Sequence, residues 1–73
     1  MKRTRIRIVD RKLGREKAWG LCVKAERFIE LEPRQTEAQR LNTLIHELLH
    51  VALPGLSERA VLRAAGPLAR ALR

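Results

Sequence analysis

Residues Thr36 to Leu53 read TEAQRLNTLIHELLHVAL, and the fold turns on how this stretch is read. Apolar residues recur every three or four positions, at Ala38, Leu41, Leu44, Ile45, Leu48, Leu49 and Ala52. That is the period of an amphipathic helix. Thr36-Glu37-Ala38-Gln39 has the form of a capping box, in which the threonine oxygen takes the amide of Gln39 while Gln39 reaches back. The helix is therefore predicted from about Glu37 to Leu53. His46 and His50 project onto an arc beside the apolar face, with Gln39, Asn42 and Thr43. They border the core and stay open on one side.

These are the two histidines of the chain. Four residues apart on a helix, they share a face one turn apart, and their rings can hold one metal ion. Glu47 is turned by about 100° from His46 and reaches a water beside the ion rather than the ion itself. The plain alternative is two histidines and a glutamate on a solvated helix flank. A catalytic zinc usually takes three protein ligands and keeps a fourth position open, so one more ligand is needed. Leu53-Pro54-Gly55 ends the first helix, and Ser57 caps a second. Glu58 opens that second helix close to His50 and is the expected third ligand. The competing reading is a favourable negative charge in a first helical turn. Asp10 and Cys22 are weaker ligand candidates, and a two-histidine site completed by water or by a second subunit stays open. The second helix is expected to bury the stripe Glu58, Val61, Leu62, Ala65, Leu68, Ala69 and Leu72, with a kink or break at Gly66-Pro67.

Ahead of the helices the period changes to two. Arg3 to Val9 places Arg3, Arg5 and Arg7 on one face and Thr4, Ile6 and Ile8 on the other. Asp10 to Lys17, with Gly14 inside, reads as a loop. Trp19 to Val23 is a second strand with Trp19, Leu21 and Val23 on one side, and Arg27 to Leu31 is a third. The expected fold class is α+β: a small three-stranded sheet, antiparallel or mixed, then a helix against it and a second, antiparallel helix folded back. One domain is expected over residues 1–73.

A chain of 73 residues buries a modest core and often needs a metal, a disulfide or a partner. The lone Cys22 excludes an internal disulfide and reads as a small buried hydrophobe. The lack of paired cysteines fits a cytoplasmic setting. No stretch approaches the ~18 apolar residues of a membrane helix, and no signal-peptide pattern opens the chain. The net charge of +8 is uneven, since residues 1–17 hold eight basic side chains against Asp10 and Glu16. This basic strand and turn is expected to meet nucleic acid or an acidic protein, or else to serve as a solubilising face. Trp19 and Phe28 are the only aromatic residues, a thin platform for stacking single-stranded bases.

Thr43-Leu44-Ile45-His46-Glu47-Leu48-Leu49-His50 resembles the active-site helix of zincin metallopeptidases. The nearest styles are SprT-like proteins, ImmA/IrrE-type proteases and very small gluzincins. The resemblance implies a minimal zincin core and zinc-dependent hydrolysis of a peptide or protein substrate. His46 and His50 would be ligands and Glu47 the general base. The glutamate that gluzincins carry on the next helix is matched in kind and order by Glu58. The resemblance also makes Phe28-Ile29-Glu30-Leu31 the edge strand of the cleft, to which an extended peptide adds. The glycine and third histidine of metzincins are absent, with Leu53 and Leu56 in their places. Arg59 and Arg63 are candidate donors to a developing oxyanion, though nothing sets them apart from surface charge. The rival expectation is a small basic nucleic-acid-binding or regulatory protein whose metal site is only structural.

Overall fold

The computed structural model describes residues 5–15 and 17–73. Three strands come first: β1 (Arg7–Asp10), β2 (Gly20–Val23) and, after a single 3-10 turn at Lys24–Glu26, β3 (Phe28–Leu31). Two helices follow, α1 (Glu37–Ala52) and α2 (Glu58–Leu72). The class is α+β, as the sequence predicts. Arg3 and Thr4 of the expected first strand lie outside the described residues.

The sheet is mixed, in the order β1-β3-β2, with β1 parallel and β2 antiparallel to β3. β3 is therefore central, which corrects the expectation that Phe28–Leu31 forms an edge. Burial accompanies this position. Ile29 and Leu31 are both fully buried, packed against Leu44, Leu48 and Val51 of the first helix, and the pairing with β1 and β2 satisfies the backbone of this buried strand on both edges. Arg27 adopts φ 51° to link the 3-10 turn to β3. Its carbonyl accepts the Arg7 N–H at 2.9 Å, which starts the β1 pairing.

Cys22 lies opposite Ile29, and Gly20 opposite Leu31. Gly20 and Cys22 thus share the helix-covered face, while Leu21 and Val23 turn outward. The alternation read from the sequence holds, and the side bearing Leu21 and Val23 is the one turned from the helix. Alternation defines two faces but does not say which is inside, and here the smaller residues go under the helix. Cys22 is half-buried against the core of Ile29, Leu31 and Val51, in keeping with a small hydrophobe.

Helix α1 starts with the full capping box. Gln39 N–H donates to Thr36 Oγ1 at 3.2 Å, and Thr36 N–H donates to Gln39 Oε1 at 3.0 Å. Its apolar arc serves two seams. Leu44, Leu48 and Val51 pack with Ile29 and Leu31 of the sheet, and Leu41, Ile45 and Leu49 pack with Ala65 and Ala69 of α2. Val51 is a core residue outside the predicted arc, whereas Ala38 and Ala52, predicted inside, are exposed. In α2, whose Ser57 cap accepts the Ala60 N–H at 3.1 Å, only Val61, Ala65 and Ala69 are buried. Leu62, Leu68 and Leu72 of the predicted stripe stay exposed, because one partner helix covers a narrower arc than a sheet does. Of the kink or break expected at Gly66-Pro67, the break does not occur: α2 is one helix that runs through Pro67. Pro67 forgoes the N–H bond of a helix interior, and Gly66, having no Cβ, removes one of the clashes a proline ring makes with the residue before it.

The loop after β1 is fastened by Glu32, a buried carboxylate. It accepts the Leu13 N–H at 2.7 Å, the Arg34 N–H at 3.0 Å, and Arg34 Nε and Nη2 at 2.8 and 3.0 Å. Leu13 is fully buried. The Arg34 guanidinium, aided by the Leu13 amide, lowers the Glu32 carboxyl from 4.5 to about 2. A carboxyl lowered on folding stabilises fully above its unfolded value, and that stability is lost as pH falls through the folded value. The melting temperature should therefore drop between about pH 4.5 and pH 2. Glu32→Gln should lower it at pH 7 and flatten this part of the profile, leaving the smaller contribution of Glu30, whose carboxyl is lowered by Arg11. Circular dichroism melts across pH check this, and parallel profiles for parent and variant would refute it.

Candidate active site

The capping box fixes where α1 begins, and this sets which residues look outward. His46 and His50 emerge side by side, ring centroids 4.9 Å apart and edge to face. Both are mostly covered, with side chains 21% and 15% exposed. The Leu53–Ser57 connection then turns the chain back, and Glu58 arrives over them. Its Oε1 lies 2.7 Å from His50 Nε2, and its Oε2 lies 3.2 Å from His46 Nε2.

The three side chains offer one donor atom each within 4.8 Å of one another. Donors around a tetrahedral zinc stand about 3.3 Å apart, given metal–ligand bonds of about 2.0–2.1 Å. The set of two imidazole nitrogens and a carboxylate, on two rigid helices, fits a divalent cation with small adjustment. The sequence-predicted trio is thus brought together. The weaker candidates are placed elsewhere. Asp10 pairs with Arg40 at 3.1 Å, and Cys22 packs on the sheet core.

Glu47 lies on the β2 side of the histidines. A Cβ built on Gly20 would stand 2.6 Å from Thr43 Cγ2 and 3.1 Å from Glu47 Cγ, too close for any side chain unless Thr43 and Glu47 give way or the strand shifts. The bare backbone of Gly20 is what lets the open edge of β2 come against Glu47. Trp19 C=O accepts the Glu32 N–H at 2.9 Å, so Trp19 and Glu32 form a hydrogen-bonded pair. By alternation, Gly20 points its own N–H and C=O away from β3, toward the outer edge. The edge beside the site is therefore β2, not the strand expected from sequence.

Gln35 locks this arrangement. Its Nε2 donates to Trp19 C=O at 3.1 Å and Glu32 C=O at 2.8 Å, while its Oε1 accepts the Thr43 hydroxyl at 2.7 Å. The start of β2 is thereby tied to the middle of α1. Sequence reasoning missed both Gly20 and Gln35. A glycine inside an apolar strand pattern marks close backbone approach and was the available signal for the first. Gln35 carried none.

A cavity of about 220 Å³ opens between Gly20, Thr43, His46 and Glu47. A larger one of about 480 Å³ lies across Trp19, against Leu13 and Glu32, away from the histidines. Arg59 and Arg63 line a separate groove with Ser57, Ala60 and Ala64, apart from the cavity at Glu47. Of the basic N-terminal strand, Arg11 is paired with Glu30, and Arg7 lies over the Phe28 ring at 5.0 Å. No described helix is long and apolar enough to cross a membrane.

No curated protein and no solved structure matches the chain. A family model does match, over residues 1–70, and it is described as Peptidase_M78, IrrE N-terminal-like domain. That match spans nearly all of the chain, which therefore belongs to this family of metallopeptidase-type domains.

Proposed function

We propose that this chain is a zinc-dependent peptidase working as one domain, with His46, His50 and Glu58 holding the ion and Glu47 as general base. The observation that carries this is the meeting of His46, His50 and Glu58 within 4.8 Å, beside a glutamate that faces an open strand edge. Bound zinc supplies a Lewis acid that polarises the scissile carbonyl and acidifies water. An extended peptide adds to the outer edge of β2, where Gly20 presents its main-chain N–H and C=O. Glu47 takes a proton from the attacking water and delivers it to the leaving amine. Packing of Thr43 and Glu47 against Gly20 holds the carboxylate beside the strand edge. Glu58, although exposed, is oriented by both rings and keeps them turned to a common point.

The test is the metal content of the natively purified chain, read together with cleavage of a mixed peptide pool. One equivalent of zinc is expected, with cleavage lost to a chelator and restored by zinc. A chain that binds no divalent ion when supplied with it would sink the proposal. Zinc bound without cleavage of any peptide would leave a metal site that only braces the fold.

A further inference from the structure

The cavity at Glu47 is the first of three that adjoin along α1. It shares Trp19, Asn42 and Thr43 with a second cavity of about 190 Å³ that continues to Gln35 and Gln39. Asn42 and Gln39 also line a third, of about 310 Å³, bounded by Gly66, Ala69 and Arg70 of α2 and by Arg73 just past its end. The floor is the outward face of α1. Trp19 and Gln35 form one wall and the end of α2 the other. The floor offers uncharged amides, while the α2 wall ends in two arginines. Both arginines are exposed, and among the described residues neither has a hydrogen-bond or ion-pair partner. A Cβ on Gly66 would lie 3.7 Å from Arg70 Nη1, so the guanidinium lies close over a helix surface left bare by the glycine.

Resting on the peptidase reading, we infer that this row of cavities selects substrates with an acidic side chain, received by Arg70 and Arg73. His46 and Gln39 are two turns apart on α1, about 10 Å at 1.5 Å per residue. An extended peptide covers that in about three residues. The acidic residue therefore belongs about three positions from the scissile bond. Arginine suits a carboxylate through its paired N–H donors, and unpaired arginines give up no internal bond to make the contact.

The experiment uses two labelled peptides, identical except for Glu or Gln at the third and fourth residues from the bond cleaved. Binding to the zinc-supplemented chain is read by fluorescence anisotropy, and KM is read where cleavage occurs. Two exposed charge pairs at about 0.2–1 kcal/mol each predict roughly fivefold tighter binding of the acidic peptide at low salt. Arg70→Gln with Arg73→Gln should abolish the preference, bringing the affinities for the two peptides together. Arg59→Gln with Arg63→Gln, the same charge change on the same helix, should keep it. Equal binding of the two peptides, absence of binding by either, or equal loss of preference in both double variants would overturn the inference. The last result would leave only attraction to a chain of net charge +8. Binding needs no turnover, so the two readings fail separately. Cleavage of both peptides with equal KM removes the selectivity and keeps the peptidase. Preferential binding without cleavage does the opposite.

Discussion

Glu47→Gln is expected to retain one equivalent of zinc and to lose peptide cleavage by about 10²–10⁴-fold, the usual share of a general base. The amide matches the carboxylate in shape, so the close packing of Glu47 on Gly20 survives and the melting temperature should hardly move. Only the capacity to accept a proton is removed. The change should fall on kcat, with KM little altered, because the strand edge that holds the peptide is untouched. Metal analysis and steady-state cleavage of one peptide decide the matter. A variant that keeps its metal and cleaves as fast as the parent would take Glu47 out of the reaction.

His50→Ala should act one step earlier and remove the ion itself. His50 makes the shorter of the two contacts to Glu58 and packs edge to face on His46, so its loss takes a donor and leaves the other two loosely held. The expected result is no zinc after dialysis, no measurable cleavage, and a melting temperature equal to that of the chelated parent. An ion present at a thousandfold its Kd stabilises by about 4 kcal/mol, on the order of 15 °C or more for a chain of this size. His46→Ala should behave alike. Glu58→Ala should weaken binding less, since two imidazoles one turn apart remain. Stoichiometric zinc in His50→Ala would require a different ligand set.

How far the sequence reached depends on where the physics is local. The capping box, the helix limits and the pairing of His46 with His50 are set by residues within a few positions of one another, and the structure places them as read. Glu58 was reachable because the Leu53–Ser57 connection is short, so the start of the second helix has few places to go. What escaped was long-range. Alternation in Trp19 to Val23 could not say which face met α1, and the deciding facts were the small size of Gly20 and the register against Leu31. The central position of β3 follows from pairing with β1 across more than fifteen residues of sequence. The clamp of Glu32 on Leu13 spans nineteen residues, and no local pattern announces it. Leu62, Leu68 and Leu72 were legible as a stripe, but its coverage depends on a partner helix that the sequence does not display.

The β1-β3-β2 order bears on how the chain is made. Residues 7–10 leave the ribosome first, yet their sheet partner is Phe28–Leu31, and β3 has a nearer mate in β2, one tight turn upstream. The hairpin can close as soon as it emerges, whereas the leading strand must wait in solution until that hairpin exists. Arg5, Arg7, Arg11 and Lys12 keep the waiting segment charged, which discourages pairing with another nascent copy. Replacing those charges with apolar residues would cost the folded domain its Arg11–Glu30 pair and burden its synthesis with aggregation.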